Sequence, residues 1–75
     1  MRIDVVLRGA LRSRAPDGNT SLDLPDHATA QAILPALGLP SAHCVYVVNG
    51  QPVNGNTELR PGARVEVFPP MAGGA

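Results

Sequence analysis

Apolar and polar residues alternate from Arg2 to Arg8, with Ile3, Val5 and Leu7 on one side and Arg2, Asp4, Val6 and Arg8 on the other. That period of two is the mark of a half-buried strand. Within Ser13 to Asn19, the run Ala15-Pro16-Asp17-Gly18-Asn19 concentrates residues that preset or tolerate turn dihedrals. The chain is therefore expected to reverse there and return as a second strand, Thr20 to Leu24, with Leu22 and Leu24 inward. From Ala28 the period lengthens: Ala30, Ile33, Leu34 and Leu37 fall at the i, i+3, i+4, i+7 spacing of one helix face. Thr29 or Asp26 can cap this helix, and Gly38 followed by Pro40 marks its end. Pro35 breaks the pattern, because it cannot bond to the Gln31 carbonyl and crowds it, at a cost of about 3 kcal/mol inside a regular helix. A kink or an early end near Leu34 follows.

Cys44 to Val48 is a continuous β-branched and aromatic run suited to a central strand, and Asn49-Gly50 after it is a strong hairpin signal. Periodicity leaves open whether Val45 and Val47 or Tyr46 and Val48 face the core. Gln51 to Val53 is a short return strand that Pro52 confines to an edge. Turns at Asn54-Gly55-Asn56 and Pro61-Gly62 lead to a last strand, Ala63 to Phe68, with Val65 and Val67 inward. Hairpin, helix, then further strands describe an α+β domain. Its crossover is long enough to make the first and last strands parallel neighbours, with the last one central.

Length and charge narrow the function. Seventy-five residues can bury one core and no second. With 44% apolar and 16% charged residues, the chain is too apolar for a disordered tail and lacks the unbroken run of a membrane span. Six arginines balance six acids, so there is no net field to draw the chain to nucleic acid or an acidic membrane. Asp4 interrupts the first apolar stretch, which argues against a secretory leader. The single cysteine, Cys44, forms no internal disulfide, and a reducing, cytoplasmic setting is expected. His27, His43 and Cys44 do not have the spacing of a zinc site, so no metal is expected. Cys44 reads as a small buried hydrophobe rather than a nucleophile, and no catalytic constellation stands out. Every basic residue is an arginine, so no lysine side chain is present to receive an acyl group.

The end of the sequence carries the sharpest signal. Pro69-Pro70 cannot continue a paired strand and favours a stiff extended path out of the sheet. This divides the chain into a domain at 1–70 and a tail at 71–75, expected to be flexible. The tail is Met71-Ala72-Gly73-Gly74-Ala75, and a glycine pair can enter a slot too narrow for any side chain.

The stretch from Leu59-Arg60-Pro61-Gly62 through Val65-Glu66-Val67-Phe68-Pro69-Pro70-Met71-Ala72-Gly73-Gly74 resembles the C-terminal signature of the ThiS and MoaD family of ubiquitin-like sulfur carriers. Val47 to Val53 is similar to that family's central hairpin. The Phe-Pro-Pro-x-x-Gly-Gly ending is nearer to the small subunit of molybdopterin synthase than to the thiamine-pathway carrier. The resemblance implies a β-grasp fold: a mixed sheet of four to five strands packed on one helix. It further implies a carrier, not an enzyme, with no bound cofactor. An E1-like enzyme adenylates the Gly74 carboxylate with ATP, a sulfur donor protein replaces AMP to leave a thiocarboxylate, and a sulfur-accepting synthase consumes it. Met71, Ala72 and Gly73 are then the residues by which partners recognise the tail. Ala75 follows Gly74, so the resemblance implies a precursor cut at Gly74–Ala75 by a metallopeptidase.

Phe68 and Val6 are apolar residues on the face opposite Ile3, Val5, Val65 and Val67. With Arg8 and Arg64 beside them they form a candidate docking patch. Molybdopterin synthesis is the expected pathway, with thiamine, cysteine or another sulfur-containing metabolite as alternatives. A ubiquitin-like modifier, or an interaction domain that carries nothing, is the alternative of another class. The lysine-free sequence argues against lysine-linked polymers of the chain, not against single attachment.

Overall fold

The computed structural model describes residues 1–14, 18–39 and 44–69. Five strands, β1 (Arg2–Leu7), β2 (Asn19–Asp23), β3 (Val45–Val48), β4 (Gln51–Val53) and β5 (Arg64–Phe68), form one mixed sheet in the order β2-β1-β5-β3-β4. β5 is central, parallel to β1 and antiparallel to β3. This is the expected β-grasp arrangement, and the crossover from β2 to β3 passes through the helical segment on one face.

The register explains which residues make the core. Val65 is level with Val5 on one side and Val48 on the other, and Val67 with Leu7 and Tyr46. Side chains level across a sheet share a face, so inward-facing Val65 and Val67 bring Tyr46 and Val48 inward with them. The open choice in β3 is thereby settled: Tyr46 is buried, while Val45 is 50% exposed. Ala30, Ile33 and Leu34 cover this face together with Leu24, Leu59 and Ala63.

The helix is shorter than its apolar period suggests. A 3₁₀ turn at Ala30–Ala32 runs into a single α turn, α1 (Ile33–Ala36). Pro35 therefore stands in the first α turn, where backbone N–H groups have no intrahelical acceptor in any case. The early end comes at Ala36, two residues beyond Leu34. Gly38, at φ +73°, donates to the Pro35 carbonyl at 3.0 Å and Leu39 to that of Leu34 at 2.9 Å, a Schellman closure. Thr29 holds the N-cap position without a side-chain capping bond. Instead, Ala30 and Gln31 donate to the carbonyls of Thr57 (3.0 Å) and Gly55 (2.8 Å), so a neighbouring loop does the work of a cap.

At the β3–β4 hairpin, Asn49 and Gly50 both have positive φ, 48° and 87°, as a type I′ turn requires. Pro52 lies on the edge strand β4, as its missing N–H dictates. β2 pairs back antiparallel on β1 as expected, and the turn residues Ala15, Pro16 and Asp17 lie outside the described residues. β1 ends at Leu7 and is followed by a 3₁₀ helix, Gly9–Arg14, that the turn-rich sequence did not announce. No helix among the described residues is long and apolar enough to cross a membrane.

Candidate functional site

The expected reacting and recognition residues, Met71, Ala72, Gly73, Gly74 and Ala75, lie outside the described residues. What the structure describes is the root from which they depart. β5 reaches Phe68 between β1 and β3, with Val45 level with Phe68 and the Arg8 N–H donating to the Val67 carbonyl at 2.9 Å. Pro69 then packs on Gly9, where the space a Cβ would take is only 3.0 Å from the proline Cγ. Central placement matters here, because a strand held on both sides gives the tail a fixed point of departure.

The face of the sheet opposite the helix is open. Val6, Glu66, Val47 and Pro52 lie level across it, with Val45 and Phe68 as the next row. Phe68 is 36% exposed, and its neighbour Val45 is more exposed still. Val6 is a correction: it lies on this face but is only 8% exposed, set between Asn19 and Glu66 in the ladders. Arg8 is exposed and pairs within the chain. Its Nε and Nη2 both donate to Glu66 Oε2, at 3.0 and 2.8 Å. Glu66 is flanked by valines on the central strand, where an uncompensated carboxylate is costly, and Arg8 offsets that cost.

Arg64 is exposed and level with Asp4, whose carboxylate accepts from Ser21 Oγ at 3.3 Å. These residues, with Val6, Asn19 and Thr20, line a shallow surface depression of about 470 Å³. A second depression of about 470 Å³ lies beside His27, Glu58 and Arg60. Neither is lined by Phe68 or Pro69.

Val45 is an exposed apolar residue on this face that sequence reasoning missed. The undecided facing of β3 hid it, and placing Tyr46 inward would have revealed it, because Val45 then falls on the face of Phe68.

His27 and Cys44 do not come together. His27 Nδ1 lies 2.8 Å from Glu58 Oε1, beside Met1 and Pro61 at the end of the sheet where β1 and β5 begin. Cys44 immediately precedes β3, level with the end of β5. His43 lies outside the described residues, and among those described no group of three potential metal ligands occurs. Burial pushes the Cys44 thiol above its ordinary value, which keeps it protonated at neutral pH and a poor nucleophile. Burial, and then the neighbouring Cys44, push Tyr46 up as well.

Comparison with known proteins agrees with this architecture. The sequence matches the ThiS family over residues 5–74. No curated protein sequence gives a significant match. Among solved structures, a Pyrococcus furiosus protein provisionally assigned as molybdopterin converting factor subunit 1 superposes with a TM-score of 0.74 at 22% identity, over 93% of this chain and 98% of its own. Small archaeal modifier protein 1 of Haloferax volcanii superposes with a TM-score of 0.75 at 20% identity, over 96% of this chain and 98% of its own. At such identities the two structures speak for the β-grasp fold, and the sequence match speaks for the lineage. The chain belongs to the ThiS family.

Proposed function

We propose that this chain carries sulfur as a thiocarboxylate on Gly74, for molybdopterin synthesis. The observation that supports this most is that the family match extends through residue 74 and so includes Gly73-Gly74. The description of the Pyrococcus furiosus structure as a molybdopterin converting factor subunit favours that pathway over thiamine or cysteine synthesis.

The chemistry follows from what a carboxylate can do. A carboxylate is a poor electrophile until it bears a leaving group. In the proposed cycle a Gly74 oxygen attacks the α-phosphorus of ATP on an E1-like enzyme and pyrophosphate departs. The terminal sulfur of a donor protein's persulfide then attacks the acyl carbon and expels AMP, and a thiol cleaves the acyl disulfide so formed, freeing the thiocarboxylate and leaving the donor as a disulfide. The resulting thiocarboxylate delivers its sulfur to a synthase. Catalysis belongs to these partners, ATP included as the E1-like enzyme's substrate, and this chain supplies the acyl group. Val45 and Phe68, with Arg64 beyond them on the same face, form the docking surface, and Met71, Ala72 and Gly73 thread Gly74 into the reacting centre. Gly74 precedes Ala75, so the cycle requires that the Gly74–Ala75 bond first be cut, a task for a metallopeptidase.

The likeness to small archaeal modifier protein 1 favours a second reading, in which the same activated end is joined to amines of other proteins. ATP–pyrophosphate exchange by the cognate E1-like enzyme tests the step common to both. Exchange that depends on a chain ending at Gly74 supports activation, and its absence refutes it. Thiocarboxylate at Gly74 against amide links to other proteins then separates the two readings.

A further inference from the structure

We infer that Gly9 is a positioning residue for the tail: its missing side chain seats the ring of Pro69 and so sets the direction in which the chain leaves the sheet. This rests on the reading of Gly74 as the reacting end. A Cβ on Gly9 would stand 3.0 Å from Cγ and 3.2 Å from Cδ of Pro69, inside the roughly 3.5–4.0 Å of ordinary carbon–carbon contact. One of the two must then give by a few tenths of an ångström.

Both partners are anchored. On one side, Arg8 donates to the Val67 carbonyl at 2.9 Å and accepts from the Leu11 N–H at 3.1 Å, which holds Gly9 where the 3₁₀ helix begins. On the other, Pro69 follows directly on Phe68, which is fixed against Val45, and its ring restricts its own φ. Pro69 stands five residues before Gly74 in the sequence, so the position of its ring sets where the reach to the reacting end begins.

Two other glycines show that backbone conformation alone does not account for this contact. Gly50 and Gly62 also have positive φ, +87° and +81°, yet a Cβ on either would meet nothing within 4 Å. Gly18 is tight, but against Arg12 and Leu7, away from the tail. Gly9 alone among the described glycines has Pro69 as the neighbour a Cβ would strike.

The consequence is kinetic. A reacting carboxylate must be held in line with the phosphorus it attacks, and misplacement by about 1 Å can cost roughly 100-fold in rate. A few tenths of an ångström at the root then predicts a fall in kcat for adenylation of at most about 10-fold, the limit in which the whole shift reaches Gly74. KM should change little, since Val45 and Phe68 are untouched.

The test uses chains ending at Gly74, with kcat and KM for adenylation measured on the E1-like enzyme for wild type, Gly9→Ala, Gly62→Ala, Pro69→Ala and the Gly9→Ala/Pro69→Ala pair. Gly62→Ala imposes the positive-φ strain without a contact and should match wild type. Gly9→Ala should lose kcat at near-constant KM. Pro69→Ala removes Cγ and Cδ, the atoms a Cβ would strike, so the double variant should fall no further than Pro69→Ala alone. Nuclear Overhauser contacts between Gly9 Hα and the Pro69 ring protons are expected in the wild type. Equal rates for Gly9→Ala and Gly62→Ala, additive losses in the double variant, or absence of those contacts would each overturn the inference while leaving the carrier reading intact. A wild-type chain that is never adenylated would overturn the carrier reading, and this inference with it.

Discussion

Val45 and Phe68 are level with each other on the open face of the sheet, and they are the two large apolar residues most exposed among those described, at 50% and 36%. They flank the point where the central strand gives way to Pro69. An apolar pair beside the departing tail is placed to hold a partner while that tail reaches the partner's reactive centre. Truncating central interface residues of this kind typically costs about 2 kcal/mol or more in binding, roughly 30-fold in Kd. Val45→Ser and Phe68→Ser should each weaken binding to the E1-like enzyme by about this amount. Val45 is half exposed and Phe68 about two-thirds covered, so Phe68→Ser should also lose about 1–2 kcal/mol of stability, and Kd is measured where urea unfolding shows each variant folded. Unchanged Kd values by titration calorimetry would remove this face from the docking surface.

The Arg8–Glu66 pair predicts a coupling. Arg8→Met strands a carboxylate between Val6 and Val47 on the central strand, which should destabilise the fold by about 1–2 kcal/mol, allowing for partial exposure. Glu66→Gln in the same chain should recover most of that loss, because the stranded charge is gone. Urea unfolding of the two single variants and the double variant measures the coupling. Additive effects would mean that the pair contributes nothing as a pair.

Much of this was legible in the sequence, for physical reasons that differ by element. β1 and β5 could be placed because burial on one face forces alternation, broken in β1 only at Val6, and Asn49-Gly50 fixed its hairpin because few other residues accept positive φ twice in succession. The 3₁₀ helix at Gly9–Arg14 was not legible, because it has no apolar period to announce it. Thr29 reads as a side-chain cap, yet the Asn54–Thr57 loop supplies the acceptors, which only the tertiary fold could reveal. Val6 shows the limit of alternation: facing away from the core does not guarantee exposure when neighbouring strands crowd the residue. The docking face was half legible, since Phe68 follows from parity with Val65 and Val67, whereas Val45 needed the orientation of Tyr46.

Cys44 and Tyr46 set a pH dependence with a definite sign. Burial raises both groups in the folded state above their ordinary values of 9.0 and 10.0. Near pH 7, well below those ordinary values, both are protonated, folded or unfolded, and contribute almost no slope. As pH rises past the unfolded-state values the unfolded chain releases protons first, so stability should fall through the interval up to the raised folded values. Cys44→Ala should flatten the lower part of that decline in urea midpoints taken from pH 7 to 10.5. A midpoint that rises with pH over this range would contradict the burial of these groups.

The central claim is that Gly74, once exposed as a carboxylate, accepts sulfur. Adding a residue displaces the terminal carboxylate by up to about 3.5 Å, far beyond the tolerance of an in-line attack. The most direct measurement is the intact mass of chains ending at Gly74 and at Ala75 after incubation with the cognate E1-like enzyme, ATP and a sulfur donor. The account predicts that only the chain ending at Gly74 gains the mass of one oxygen-to-sulfur exchange. Equal conversion of both would remove the need for cleavage, and conversion of neither, by an enzyme active on another carrier, would contradict sulfur carriage itself.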